Sequence, residues 1–399
     1  MRAAAVLLVT LFLSAAAHAQ TVPCRTSGPY GSWLAALERE AAADGVSQRA
    51  IAEAAPYLTY DQRIVNIDRG QRVFTQTFLE FSSRMAAAYR ISGAQMRIKK
   101  YAPVFARIDK QYGVPAAVIT SFWGLESDFG ANQGKYPSLS SIASLAYDCR
   151  RADRFRPQLI DALRLIQRGD LTPAEMIGSW AGELGQTQMM PTEYYKYAVD
   201  YDGTGKRDLI HDAPDVLGST ANYLVGLGWK RGEPWMTEVH VPPRLPWDQA
   251  DLDIQLPRSK WASWGVTLAD GRPLADDNLP ASLLLPMGRL GPAFLVYANF
   301  QVYLQWNNSL VYSTTAAYLA THIAGAPPLH RGNPPPALTF DQVKELQTLL
   351  TRAGYDVGKI DGFLGLKSRQ AVKAMQVKYG MPADSYPTEE LLARMRSGG

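Results

Sequence analysis

The feature that most constrains this chain is a helix-length run with no polar face. From position 113 to 130 the sequence reads Gly-Val-Pro-Ala-Ala-Val-Ile-Thr-Ser-Phe-Trp-Gly-Leu-Glu-Ser-Asp-Phe-Gly. Gly113 is suited to end one helix in a left-handed conformation, and Pro115 to open the next. Val118, Ile119, Phe122, Trp123 and Leu125 then fall nearly all round that helix, so it is stable only when other elements enclose it. Glu126 sits at its end. A carboxyl among Trp and Phe is desolvated, which raises its pKa and keeps a proton available near neutrality, as a general acid requires. The same residues also allow a glutamate satisfied by a salt bridge or by backbone donors.

The rest of the chain is long enough to enclose such a helix. Its 399 residues, 47% of them hydrophobic, suit one large domain plus a smaller one. Phe155, Leu159, Leu163 and Ile166 share a helical face, and Thr172-Pro173-Ala174-Glu175 has capping-box form, which predicts a further helix there. Extended runs at 238–241 and 283–285 add a small sheet, so the fold class is mainly α (α+β). The Pro-rich stretch 326–337 can neither continue a helix nor pair as a central strand, and reads as a stiff linker. Beyond it, Thr339 to Gln342 form a capping box and Val343, Leu346 and Leu350 recur at helical spacing. Helices at about 368–379, with Val372 and Met375 inward, and 388–396, with Leu391 and Leu392 inward, complete a small three-helix domain. The expected division is therefore 20–325, linker 326–337 and 338–399.

At the amino terminus, Arg2, the apolar run Val6 to Ala17 and the small-x-small site Ala17-His18-Ala19 read as a signal peptide over residues 1–19, and hence as periplasmic export. The run is shorter than the roughly 20 residues that cross a bilayer, so no stable membrane span is expected. Gln-Thr-Val-Pro before Cys24 lacks the small and apolar residues of a lipoprotein signal. An oxidising compartment would let Cys24 and Cys149 close a disulfide, two buried thiols being the alternative. Two Cys and five scattered His exclude a Cys/His metal site. A net charge of +4 without a basic cluster excludes nucleic acid, and the absence of GxGxxG and Walker loops excludes nucleotide chemistry.

A second segment bears on Glu126. Gly178-Ser-Trp180-Ala-Gly182-Glu183-Leu-Gly185-Gln186-Thr-Gln188-Met189-Met190-Pro191-Thr192 combines glycines that permit close backbone approach with amides and thioethers suited to a sugar groove. Alone, it also reads as a glycine-rich turn before a helix opened by Pro191.

Taken together, these segments resemble the B-type lytic murein transglycosylases, which share a lysozyme-like fold. The resemblance covers most of residues 30–325 and rests on four ordered blocks: Gly124 to Gly130, Cys149-Arg150-Arg151-Ala-Asp-Arg-Phe, Gly182 to Thr192, and Asn299-Phe300 followed by Trp306-Asn307-Asn308-Ser309. It implies that Glu126 is the only catalytic acid/base. It also implies that Gln188 lines the glycan groove and that Arg150 and Arg151 approach the saccharide or its peptide. Gln186, Met190, Trp306, Asn307 and Tyr312 complete the expected substrate-binding set. Trp306 stands where some members have tyrosine, keeping a stacking surface, with the Tyr312 hydroxyl nearby. Glu183 replaces a small residue of some members and reads as an exposed or structural carboxylate, and Asp128 is expected to project elsewhere. No cofactor is implied. Some relatives carry a calcium loop where Asp200, Asp202 and Gly205 match an EF-hand at positions 1, 3 and 6. Here Thr204 replaces the acid at position 5 and His211 the glutamate at position 12, which favours a metal-free turn.

Residues 338–399, with Ile360-Asp361-Gly362-Phe363-Leu364-Gly365 and Ala371 to Gln376, resemble the three-helix peptidoglycan-binding module of wall hydrolases. This implies tethering to the wall, against a bundle that merely packs on the first domain. The expected substrate and partner is the peptidoglycan glycan strand, with other wall enzymes as candidate partners. The expected reaction cleaves the β-1,4 bond between N-acetylmuramic acid and N-acetylglucosamine and leaves 1,6-anhydro-muramic ends. A hydrolytic muramidase using Glu183, or a non-catalytic wall-binding scaffold, are the alternatives.

Overall fold

The computed structural model describes residues 23–70 and 76–398, so the expected signal peptide lies outside the described residues. The helix with no polar face runs Ala116–Ser127, between Pro115 as its N-cap and a left-handed Gly113 that ends the helix Ala102–Tyr112. Ten of its residues, from Ala117 to Ser127, are buried. It is enclosed by the helices Ala88–Lys100, Ala213–Gly226 and Leu310–Ile323. The helices Ser138–Tyr147 and Ala152–Arg168 pack on each other, and Phe155, Leu159, Leu163 and Ile166 are all buried.

Against this helical body lies a five-stranded antiparallel sheet in the order Leu256–Pro257, Pro280–Leu284, Ala293–Val296, Met236–His240 and Thr267–Leu268. The strand alternation divides its side chains between two cores. Met236, Leu284, Phe294 and Val296 join the helical core, whereas Val239, Leu283, Ala293 and Leu295 face a second core around the fully buried Trp261. Both faces are covered, which is why the Leu283 to Leu285 run carries no polar alternation.

The structure corrects one expected helix. Thr172 and Glu175 form the reciprocal capping bonds, Thr172 N donating to Glu175 Oε2 at 2.7 Å and Glu175 N to Thr172 Oγ1 at 3.4 Å. No helix follows, because Ile177–Gly178 leaves the turn to pair antiparallel with Tyr136–Pro137. Gly178 is required there, since a Cβ would lie 1.9 Å from the Glu183 carbonyl oxygen.

Cys24 and Cys149 are disulfide-bonded across 125 positions, tying the first described residues to the end of the helix Ser138–Tyr147. Constraining the unfolded chain over such a loop is worth at most roughly 4–5 kcal/mol.

The carboxy-terminal helices Phe340–Arg352, Leu366–Lys378 and Glu389–Arg396 enclose their own core of Val343, Leu346, Leu350, Val372, Met375, Leu391 and Leu392. This module is docked on the first domain. The buried Arg369 donates to the carbonyl oxygen of Leu285 at 2.6 Å, Lys373 pairs with Asp251 at 2.8 Å, and Arg289 N donates to Asp384 at 3.0 Å. The Pro-rich stretch is fastened as well: His330 N donates to Glu238 at 2.8 Å and Asn333 N to the Leu290 carbonyl oxygen at 2.8 Å. It is thus a strap along the surface rather than a free spacer.

Candidate active site

Glu126 reaches the surface of the helical body from the last turn of its buried helix, half-buried and still open to solvent on one side. Two groups from beyond the sheet fix one oxygen. Trp306 Nε1 donates to Oε1 at 2.8 Å, and the Tyr312 hydroxyl donates to the same oxygen. Among the described residues no group donates to Oε2, which leaves that oxygen to a ligand. Burial pushes the Glu126 pKa up to about 7, against the lowering effect of the two donors and with a smaller upward contribution from Glu183. The carboxyl therefore holds a proton over a large part of the neutral range, which is the condition for a general acid.

Trp306 is half-buried. Its ring packs 4.3 Å from Phe122 and 5.0 Å from Tyr223 between ring centroids, which orders the indole whose N–H meets Glu126. Tyr312 is held by burial in its protonated, donating form. Asp128, in a left-handed conformation just past the helix, turns away to Arg90 Nε at 2.9 Å. Ser127, which the sequence reading passed over, donates to the Gln186 carbonyl oxygen at 2.5 Å and accepts from Gly130 N at 2.8 Å. It therefore ties the Glu126 helix to the second segment, and its place beside Glu126 in the first block was the available signal.

The second segment folds as a tight double turn, Leu184 bridging both Gly178 and Met189. Gln188 adopts φ 49° there, and its Nε2 donates to the carbonyl oxygens of Gly185 at 2.8 Å and Gln133 at 3.1 Å. Among the described residues nothing donates to its Oε1, so an acceptor remains for a sugar amide or hydroxyl. Met190 caps the helix Pro191–Tyr197 and is half-buried.

Several expected groove residues are otherwise engaged. Gln186 is buried, accepting from Trp123 Nε1 at 2.8 Å and donating to the Ile210 carbonyl oxygen at 2.9 Å, so its amide is spent inside the protein. Arg150 and Arg151 both pair with the buried Asp68, Arg150 Nε donating at 2.6 Å, and Arg151 also lies over the Phe155 and Trp180 rings. Asn307 Oδ1 accepts from Ser309 N at 2.9 Å, ordering the turn into the helix Leu310–Ile323. Asp68 carried no signal in its own neighbourhood, because its partners lie some eighty positions away.

Glu183 is not an exposed carboxylate. It is half-buried, accepts from Ser179 Oγ at 2.8 Å, and lies close enough to Glu126 and Tyr312 to raise the pKa of each. Its own pKa is raised by burial, against Ser179, Arg154 and Arg151.

Asp200, Asp202 and Asp215 bring carboxylate oxygens within 4.8 Å of one another. They fit a calcium ion poorly. Asp200 already accepts from the N–H groups of Gly203, Thr204 and Gly205, and Asp215 from those of Tyr201 and Asp208. Position 12 is His211, whose ring contacts Asp208.

A helical domain that presents one proton-bearing glutamate beside a tight glycine-rich turn has the parts of an acid catalyst acting on glycans. Residues 30–321 match the Transglycosylase SLT domain, and the chain belongs to that family. Residues 340–395 match a peptidoglycan binding domain. The chain is 38% identical to SltB3 from Pseudomonas aeruginosa, solved in complex with NAG-anhNAM-pentapeptide, covering 92% of this chain and 99% of that one with a TM-score of 0.85. Soluble lytic transglycosylase SltB1 of the same organism is 28% identical, with 73% and 98% covered and a TM-score of 0.64. Membrane-bound lytic murein transglycosylase B of Escherichia coli (strain K12) is 29% identical over 226 residues, 56% of this chain, and the match spans 61% of that relative's length. No helix among the described residues is long and apolar enough to cross a membrane.

Proposed function

We propose that the protein is a peptidoglycan lytic transglycosylase of the periplasm that cleaves the β-1,4 bond between N-acetylmuramic acid and N-acetylglucosamine. The observation that carries this is the Glu126 carboxyl, with Oε1 held by Trp306 and Tyr312 and Oε2 open. Glu126 gives its proton to the glycosidic oxygen, and the bond to the muramic C1 breaks. The N-acetyl carbonyl of that sugar stabilises the oxocarbenium-like charge. Glu126, now a carboxylate, takes the proton of the C6 hydroxyl as its oxygen bonds to C1, which regenerates the acid and closes the 1,6-anhydro ring. Gln188 Oε1 serves as an acceptor for the glycan, and Arg150 and Arg151 keep the groove wall in place through Asp68.

Hydrolysis would need a second, ionised carboxylate to activate water. Glu183 is near enough to be considered, but its carboxylate is already engaged by Ser179 Oγ at 2.8 Å, and Asp128 is committed to Arg90. Both facts favour the internal ring closure. Export is supported by the Cys24–Cys149 bond, which an oxidising compartment sustains. The docked carboxy-terminal module supplies a second wall contact at a fixed position rather than on a free tether. Release of soluble fragments from purified peptidoglycan by the full chain, and its loss in Glu126→Gln, tests the reading.

A further inference from the structure

Among the described residues, four that are not glycine have a positive φ, and three of them border the site: Asp128 at 48°, Phe129 at 63° and Gln188 at 49°. Asp128 is enough to end the Glu126 helix, since one left-handed residue stops a helix and aspartate tolerates that conformation. Phe129 is not explained by the stop. A bulky side chain in the left-handed region is strained, and such a residue persists only where its surroundings over-determine it.

Those surroundings come from the helix Ala88–Lys100. The Phe129 ring lies between that helix and the Glu126 helix, against a glycine on each. A Cβ on Gly93 would stand 3.2 Å from the ring, and one on Gly124 3.0 Å from it. The Arg97 guanidinium covers the ring at 4.1 Å from its centroid, and the Trp123 ring meets it in a T-shaped contact at 5.6 Å between centroids. Asp128 is clamped from the same helix. The buried Arg90 donates to its Oδ1 through Nε at 2.9 Å and Nη2 at 2.5 Å, and the Tyr89 hydroxyl adds a longer bond at 3.3 Å. Arg90 is itself anchored, its Nη1 donating to the Met85 carbonyl oxygen.

These contacts close a circuit around the acid. Phe129 packs on Trp123, Trp123 Nε1 donates to Gln186 Oε1, and the Gln186 carbonyl oxygen accepts from Ser127, the residue after Glu126. Gln188 follows in the same tight turn as Gln186. Trp306 and Tyr312 orient the carboxyl, but only if the helix end that carries it stays where those donors reach.

We propose that Phe129, and Arg90 acting through Asp128, are positioning residues for Glu126: they lock the turn behind the acid, so that Ser127 stays on Gln186 and the carboxyl stays within reach of Trp306 and Tyr312. The helix Ala88–Lys100 is the brace, and the strained turn is what it holds. Misplacing a reacting group by about 1 Å costs on the order of a hundredfold in rate, so a brace that never meets the glycan still governs turnover. The inference deepens the function proposed above and rests on it.

Gly93→Ala is the most selective probe, because it adds one methyl against Phe129 and changes no charge. Alanine is also the better helix former, which offsets the crowding and keeps the variant folded, as thermal unfolding checks. On soluble glycan strands we expect kcat to fall about tenfold, with KM changed less than about twofold. The alkaline limb of the pH profile should also rise, because a carboxyl drawn away from Trp306 and Tyr312 loses the donors that lower its pKa, while Glu183 is untouched. Arg90→Met should act in the same direction, and Arg90→Lys, which keeps a charged donor for Asp128, should do less. An unchanged kcat in Gly93→Ala, or a lower kcat with an unmoved limb, would overturn the proposal. The Trp306 indole N–H resonance of isotope-labelled protein, identified by its loss in Trp306→Phe, reads the same alignment without turnover. Its displacement in Gly93→Ala supports the brace even if no wall is cleaved and the transglycosylase reading fails; an unmoved resonance counts against it.

Discussion

The Tyr312 hydroxyl and the Glu126 carboxyl are hydrogen-bonded although 186 positions separate them in the chain. Trp306 joins the same oxygen, so the carboxyl is aimed by the helices Ala298–Trp306 and Leu310–Ile323, not by its own helix. Aiming and proton affinity are thus set by different parts of the fold: the apolar helix raises the pKa, and the distant donors lower it and fix the geometry.

Replacing Glu126 by Gln should abolish turnover, at least 10²–10⁴-fold for the loss of acid and base, while increasing stability above neutral pH. The folded pKa is about 7 against 4.5 for an ordinary glutamate, so between these values the native state holds a proton that the unfolded chain releases. Stability from this group is full below pH 4.5, is lost as pH rises towards 7, and stays lost above it. With its partial solvent access discounted, the variant should gain on the order of 1–2 kcal/mol at pH 8 and nothing at pH 4, measured by denaturant unfolding at both values.

The pH profile should report the neighbours of Glu126 with opposite signs. Activity should fall as pH rises through about 7, where the acid ionises. Tyr312→Phe removes a donor that favours the carboxylate and should move this limb to higher pH while lowering kcat. Glu183→Gln removes a negative charge and should move it to lower pH. Initial rates on soluble glycan strands from pH 5 to 9 check both; parallel shifts would show that the charges are not read at Glu126.

Cys149→Ser should cost roughly 2–4 kcal/mol of stability by freeing the long loop closed at Cys24. Thermal unfolding of the variant beside the oxidised and reduced parent measures it, and reduction should remove most of the difference.

Arg369 is buried and donates across the interface to Leu285, so Arg369→Met should loosen the carboxy-terminal module. Losing charge-assisted bonds to a carbonyl costs about 1.5–3 kcal/mol. Limited proteolysis should then cut the 326–337 strap faster than in the parent, with the catalytic domain itself unaffected.

The enclosed helix, its glutamate, the unique cysteine pairing and the three-helix module were legible in the sequence, because each is a local pattern of burial, spacing or count. Partners were not. Nothing near Gln186 says that Trp123 and Ile210 consume its amide, and nothing near Arg150 and Arg151 reveals Asp68. The Thr172–Glu175 box predicted a helix from two capping bonds that do form, but strand pairing at Gly178 removed the residues that would have continued it. Trp306 was read as a stacking surface, and nothing in its neighbourhood says that its indole N–H meets Glu126 or that Phe122 and Tyr223 pack on its ring. Glu183 lay in a glycine-rich turn that gave no sign of its burial.

The most direct measurement is digestion of purified peptidoglycan by the full chain, with Glu126→Gln as control, followed by mass spectrometry of the released muropeptides. The account predicts 1,6-anhydro-muramic ends that vanish in the variant. Reducing muramic ends would contradict it, because water would then be the attacking group and a second carboxylate would have to share the work of Glu126.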